Sequence, residues 1–327
     1  MAGTDMQMRI LSADDVRHCV DMPAAIEATR GAFAALSGGH ATVPVRVALE
    51  SEKGVSLFMP AHLTDVDQAG AKVVSVNPGN AALGLPAIHA VVLVLDPETG
   101  CPTALMDGTW LTALRTGAVG GLAADILARE ESRTVALFGA GVQARTQLEA
   151  VRCVRDIEDV RIFSPSGSSA DKLARELVDV TAISASSPNE ALDGADIVIA
   201  ATNSKTPVFD STLIEPGTHV TGVGSFTLDM IEVDPALVQR ARVIVDQREA
   251  IMEEAGEIVA AIREGLVDES VMVAEIGEVV LGRKQGRTSP DEITFFKSVG
   301  NAVQDVAVAS LVMQRAEATN RGVVVDL

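Results

Sequence analysis

The sequence predicts an α/β protein: a doubly wound parallel sheet joined to a second domain of α+β character. Three observations carry the prediction. An apolar run, Thr134–Phe138, ends in Gly139-Ala140-Gly141-Val142-Gln143-Ala144, and a helix-competent segment follows from Arg145. Strand-like and helix-like segments then alternate for more than a hundred residues, the pattern of parallel strands joined by crossovers. Ahead of them, the first third reads as two helices followed by strands joined through short turns, which fits an antiparallel or mixed sheet.

The elements follow in order. Residues 1–8 read as a loose leader. Ile10–Leu11 ends a strand, and Ser12 caps a helix opening at Ala13. Pro23 sits near the start of a second helix, whose Ile26, Phe33 and Leu36 share a face and which Ser37-Gly38-Gly39 closes. Val43–Leu49, Val55–Met59 and Gly70–Val76 read as strands. A turn at Asn77-Pro78-Gly79-Asn80 precedes the apolar strand Ile88–Leu95, and Asp96–Gly100 turns the chain back through Cys101–Met106. Gly108–Arg129 is a long Ala/Leu/Thr-rich helix. Strands at 135–138, 160–163, 181–183, 197–200, 219–223 and 243–245 follow, with helices at 171–178 and 189–192. Glu249–Gly265 and Ala274–Gly282 read as helices, Arg283–Asp291 as a polar loop, Glu292–Lys297 as a strand, Asn301–Asn320 as a long helix and Val323–Val325 as a last strand.

Composition narrows the function. With 327 residues, 47% of them hydrophobic, the chain is long enough for two well-buried domains. A net charge of −19 with no basic run argues against nucleic acid as a partner. No apolar stretch reaches about 18 residues, so no membrane span is expected, and without a basic, apolar leader the cytoplasm is the expected compartment. Cys19, Cys101 and Cys153 match no metal or redox spacing and read as buried thiols in a reducing compartment. None of His18, His40, His62, His89 and His219 has a second ligand at metal spacing, so no metal is expected. His89, in an apolar strand, reads as a core or interface residue.

The glycine turn carries the strongest chemistry. Gly139 permits the tight turn, Gly141 lets backbone approach a pyrophosphate, and Ala144 is small enough for helix and strand to pack closely. The free amides at the helix start favour that anion. This is a Rossmann dinucleotide fingerprint with a strand before it and a helix after it. The next strand ends at Phe163-Ser164-Pro165-Ser166, where an NAD enzyme places an acid against the ribose. Ser164 and Ser166 can bond a 2′-phosphate and no carboxylate repels it, which favours NADP(H) with NAD(H) possible. Arg46, Lys72 and Arg115 stand out in a chain short of cations. Charges in apolar strand contexts must pair, reach solvent or face a ligand. Together they suggest an anion site between the domains, suited to a small carboxylate.

The chain resembles the ornithine cyclodeaminase/μ-crystallin family along nearly its whole length. The resemblance rests on Gly70-Ala71-Lys72-Val73-Val74, Gly84-Leu85-Pro86, Leu95–Gly100, Thr112–Ala118, Gly139–Ala144, Val245–Ala250 and Phe296–Gly300. It implies a homodimer. It implies a substrate and dimerisation domain, residues 1–115 completed by 303–327, and a dinucleotide domain, residues 116–302. It implies that Arg46, Lys72 and Arg115 hold the substrate carboxylate and carry the chemistry, with Val299 beside the substrate. Arg115, Thr116, Val142, Gln143, Thr202, Val223, Gly224, Ser225, Phe226 and Ser298 would contact the dinucleotide. The cyclodeaminases carry a catalytic aspartate where this chain has Phe226, and Asp229 is the one substitute nearby. The resemblance therefore implies the branch that reduces imino acids: Δ1-pyrroline-2-carboxylate to L-proline, or pyruvate and ammonia to alanine. Ornithine cyclodeamination is the alternative, and binding without turnover a third.

Overall fold

A computed structural model describes residues 6–327. The chain divides into two compact units: one runs to Arg115 and resumes at Asn301–Leu327, and the other is Thr116–Gly300.

The first unit is built on one sheet. Its strands are β1 (Gln7–Leu11), β2 (Ala41–Thr42), β3 (Val47–Ser51), β4 (Gly54–Leu63), β5 (Gln68–Val76), β6 (Ile88–Leu95), β7 (Pro102–Asp107) and the C-terminal strand Val323–Asp326. The order is Val323–Asp326, β1, β7, β6, β5, β4, β2, with β3 also on β4. Every pairing is antiparallel except β1 with β7. Ser12 opens the helix Ala13–Cys19 through a capping box with Asp15, and Gly39, at φ +83°, closes Met22–Gly38. The helix Ala302–Thr319 packs on β4, β5, β6 and Met22–Gly38.

Register fixes which side chains lie on the buried face. Met59, Lys72, Val92 and Met106 form one row across four strands, all buried. The pleat sends neighbouring residues to the opposite face. There Val47, Phe58, Val73 and Val91 form the adjacent row, and Val47, Phe58 and Val91 are exposed.

The second unit holds eight parallel strands: β8 (Thr134–Phe138), β9 (Asp159–Phe163), β10 (Thr181–Ser184), β11 (Ile197–Ala200), β12 (His219–Gly222), β13 (Arg242–Val245), β14 (Met272–Glu275) and β15 (Thr294–Lys297). The order is β10-β9-β8-β11-β12-β15-β13-β14. Strand order reverses at β8/β11, which is where doubly wound sheets bind ligands, outside the carboxyl ends. Val135–Phe138 and Ile197–Ala200 are buried throughout, as strands covered on both faces must be. Each such Val, Ile or Leu contributes about 1.5–3 kcal/mol by burial. The helix Gly108–Leu127 is rich in small residues for a packing reason: a Cβ at Gly117 would lie 2.5 Å from the Thr146 carbonyl oxygen of the helix Val142–Val154.

Several expectations need correction. Of the leader expected at 1–8, residues 1–5 lie outside the described residues, while Gln7 and Met8 pair with Asp326 and Val325. The strand expected over Val43–Leu49 is interrupted: only Val47 onward pairs, and Arg46 precedes it. Glu249–Gly265 is two helices, Arg248–Glu254 and Gly256–Arg263, parted at Ala255. Gly256 lies so close to the Met230 carbonyl that a Cβ would clash at 2.1 Å. Ala274 belongs to β14, because Met272–Glu275 completes the parallel edge and the helix starts only at Ile276, where Glu275 and Glu278 cap it. Cys101 and Cys153 are exposed, and only Cys19 is buried. Cys101 sits in a turn and Cys153 on an outward helix face. Of the two readings of His89 the core one is overturned: it is exposed on the outer face of β6, since strand alternation places Ala90 inward.

Candidate active site

In the first unit, Lys72 and Arg115 meet on a carboxylate that sequence reasoning missed. Lys72 comes from the inner row of β5, Arg115 from the helix Gly108–Leu127, and Asp305 from the first turn of Ala302–Thr319. Lys72 Nζ lies 2.7 Å from Asp305 Oδ2, and Arg115 Nε lies 3.0 Å from Asp305 Oδ1. Arg115 Nη1 also donates to Gln304 Oε1 at 3.2 Å. Lys72 is 1% exposed, Arg115 6% and Asp305 0%. Burial, then the Arg115 charge, pulls the Lys72 amine down from 10.5 to about 7; Asp305 works against both, and the Arg46 charge adds to the fall. Arg46 is half-buried between β2 and β3, near enough to act on Lys72. The fork therefore carries a surplus of positive charge over its single carboxylate, a setting that attracts an anion. The only signal for Asp305 in the sequence was a polar pair, Gln304-Asp305, inside an apolar helix.

In the second unit, the expected dinucleotide residues other than Arg115 and Thr116, which lie in the helix Gly108–Leu127, gather at the carboxyl ends of the parallel strands. Gly139 follows β8 at φ +102°, where a Cβ would sit 2.5 Å from the Ala201 carbonyl after β11. No other residue tolerates both constraints. A Cβ at Gly141 would meet nothing within 4 Å, so the space above it is open. Gly141 caps the helix Val142–Val154 without a side-chain bond, and its first turn holds no acid. The amides there are available to an anion. Val142 is exposed, the Gln143 Oε1 is buried with no protein partner, and Ala144 is fully buried against the sheet. These features fit a dinucleotide pyrophosphate.

Past β9, Ser164 Oγ shares a hydrogen bond with Ser169 Oγ at 2.8 Å, and Ser166 is exposed at the tip of the turn that Gly167 makes at φ +68°. Thr202 follows β11 and Val223–Phe226 follow β12. A buried carboxylate, Glu232, ties these two loops: it accepts from Thr202 N, from Gly224 N at 2.6 Å and from Ser225 N at 2.8 Å. Burial pushes its carboxyl up, while Lys297 and the Thr202 amide oppose that rise. Ser225 Oγ is held by Glu257 at 2.7 and 2.9 Å, and Lys297 Nζ lies 3.1 Å from Glu257. Ser298 Oγ donates to Asp246 Oδ2 at 2.7 Å, and the Val299 amide donates to the same oxygen at 2.9 Å. The hydroxyls of Ser225 and Ser298 thus face inward; the Ser225 carbonyl accepts from Lys297 Nζ at 2.7 Å and the Ser298 amide donates to the Gly222 carbonyl at 3.2 Å, so both residues are fixed by protein partners. Val299 is buried in the apolar core of this unit. Thr116 is buried and its carbonyl accepts from Gln147 Nε2.

Phe226 is half-buried and carries no titratable group. Asp229 is exposed, and Lys205 and Thr227, both at 2.6 Å, engage its carboxylate and hold it below the usual range. A carboxylate so stabilised is a poor base. His219 is buried between Thr294 and Thr221, and burial drives it down to about 3, so it is a neutral structural group. No described helix is long and apolar enough to cross a membrane.

The chain is similar to known proteins along nearly its whole length. Alanine dehydrogenase of Archaeoglobus fulgidus is 39% identical over 317 residues, covering 97% of this chain and 98% of that protein. The structure of Thermococcus litoralis Δ1-pyrroline-2-carboxylate reductase, in complex with NADH and L-proline, superposes with a TM-score of 0.92 at 39% identity, covering 97% of this chain and 99% of that one. An archaeal alanine dehydrogenase dimer with bound NAD gives 0.94 at 38% identity, covering 98% and 100%. The ornithine cyclodeaminase/mu-crystallin family model matches residues 6–320. A nucleotide-binding turn, a buried cation fork and a match of this length have one reading: the chain belongs to the ornithine cyclodeaminase/mu-crystallin family.

Proposed function

We propose that the protein is an NAD(P)H-dependent reductase of small α-imino acids, with Δ1-pyrroline-2-carboxylate to L-proline as the first reaction and pyruvate plus ammonia to alanine as the second. The observation that carries this reading is the buried fork of Lys72 and Arg115 on Asp305. A substrate carboxylate supplies the missing negative charge, held by Arg115, Lys72 and Arg46. The bound dinucleotide supplies the hydride that adds to the imine carbon. As the C=N electron pair localises on nitrogen, Lys72 Nζ gives that nitrogen a proton. An amine poised at about 7 suits giving a proton in reduction and taking one in the reverse direction. Val299, buried just past the carboxyl end of β15, is assigned to the substrate side on the family resemblance alone.

The glycine turn is assigned to the dinucleotide. Gly139, Gly141 and Ala144 shape it, and the Val142 and Gln143 amides meet the pyrophosphate. Arg115, Thr116, Thr202, Val223, Gly224, Ser225, Phe226 and Ser298 complete the site. Ser164 and Ser166 receive a 2′-phosphate, which makes NADPH the preferred donor. The relatives solved with NADH or NAD support the dinucleotide itself. The exposed row Val47, Phe58 and Val91 supports a homodimer through the outer sheet face, as does the relative described as a dimer. Phe226 and the engagement of Asp229 by Lys205 favour reduction over cyclodeamination.

The test is the fall in nicotinamide absorbance with Δ1-pyrroline-2-carboxylate, and with pyruvate plus ammonia, using NADPH and NADH in parallel. Oxidation of NADPH with the cyclic imine is expected. Ammonia release from ornithine with NAD, and no oxidation with either imino substrate, would overturn the proposal.

A further inference from the structure

We infer that Asp305 is the positioning residue of this site: it sets Lys72 and Arg115 as one fork and leaves that fork a single negative charge short, the charge the substrate carboxylate brings. The inference rests on the reductase reading and deepens it.

Geometry carries the argument. Each oxygen of Asp305 meets a different cation, at 2.7 and 3.0 Å, so one carboxylate fixes the separation and facing of both. The carboxylate is fully buried and lies in the first turn of Ala302–Thr319, where the helix dipole favours a negative charge. Gln304 tightens the arrangement from the other side, accepting from Arg115 Nη1 and donating to the Arg115 carbonyl at 3.3 Å. Asn301 and Gln304 form the capping box that starts the helix, so helix initiation and fork geometry are set by the same turn. A carboxylate needed only to fasten the helix could pair with one cation; this one is shared between two that would otherwise repel. The charged groups that act on Lys72 are Arg115, Asp305 and Arg46. From β4 and β6 its row neighbours are Met59 and Val92, both apolar.

Asp305 is the one group that strengthens proton binding at Lys72, against burial and two arginines. Asp305→Asn removes that influence and leaves the others. The neutral amine then forms at lower pH. For reduction, kcat/KM falls as Lys72 loses its proton, so the falling limb of the profile moves down by at least one pH unit. The variant should lose about tenfold relative to wild type at pH 8 and recover most of the difference near pH 5.5. Asp305→Glu keeps the charge and moves it by one methylene; its limb stays in place while kcat falls. Thermal unfolding and NADPH fluorescence titration verify folding, and if Asp305→Asn does not fold, the limb of Asp305→Glu decides. A loss that is uniform with pH in Asp305→Asn, or a displaced limb in Asp305→Glu, overturns the inference. If wild type reduces no imino acid, the reductase reading has failed on its own. Calorimetric binding of L-proline across pH then tests Asp305: affinity should drop above about pH 7 in wild type and about one unit lower in Asp305→Asn, and coincident profiles overturn it.

Discussion

Replacing Lys72 with methionine should make the protein more stable and nearly inactive. The side chains are similar in length, so the change removes a charge more than a volume. At pH 7 the buried amine is half neutral in the folded chain but protonated in the unfolded one. The gap between 10.5 and about 7, at about 1.4 kcal/mol per unit, means that holding Lys72 in place costs the fold about 5 kcal/mol. Asp305 loses one of its two partners in the variant, and a bond to a charged group contributes about 1.5–3 kcal/mol. Arg115 remains to neutralise it. The net expectation is a gain of about 2–3.5 kcal/mol, or about 3–5 °C in Tm for a chain of 327 residues at about 2.1 cal/mol/K per residue. The sign has a signature. Between pH 7 and 10.5 the unfolded lysine holds its proton and the folded one does not, so wild-type stability rises with pH across that window. Lys72→Met lacks this rise, so its advantage should vanish at about pH 8.5–9.5 and reverse by pH 10. Scanning calorimetry at pH 7, 8.5 and 10 measures it. Activity should fall by about 10²–10⁴, the usual contribution of a general acid. A variant less stable than wild type at pH 7, or a stability difference that ignores pH, would refute the reasoning.

Three further outcomes follow from the geometry. Gly139→Ala sets a Cβ 2.5 Å from the Ala201 carbonyl at φ +102°, and NADPH affinity measured by fluorescence titration should drop more than tenfold. Ser164→Asp puts a carboxylate at the end of β9, and the NADPH/NADH ratio of kcat/KM should fall about 10-fold or more, since the new charge repels a 2′-phosphate and accepts from a ribose hydroxyl. Val91→Lys charges the middle of the exposed apolar row and should convert a dimer to monomer in sedimentation velocity, with the thermal midpoint of the isolated subunit unchanged.

What was legible in the sequence depended on how local the cause was. The glycine turn, the Ser12 cap and seven of the eight parallel strands, all but β14, are written in contiguous residues, and each lies within a residue or two of its expected place. Lys72 was conspicuous because a charge in a valine run needs a reason. Its partner was not, because Asp305 is 233 residues later and becomes a neighbour only when Ala302–Thr319 lies on β5. Glu232 escaped notice for the same reason: its three amide donors come from two loops that are adjacent only across the β11/β12 pair. The segments misread, Val43–Arg46 and Ala274, are short edge pieces whose state is decided by strand pairing and not by propensity. Cys101 and Cys153 were misplaced because a thiol's burial follows the face it lands on, which composition does not specify.

The most direct test of the central claim follows the hydride itself. The protein is supplied with Δ1-pyrroline-2-carboxylate and NADPH deuterated at the transferable C4 position, and the proline formed is analysed by mass spectrometry and NMR. Direct reduction predicts one deuterium at C2 of L-proline for each dinucleotide oxidised. Proline formed only from ornithine, with ammonia released and the deuterium still in the dinucleotide pool, would contradict the account.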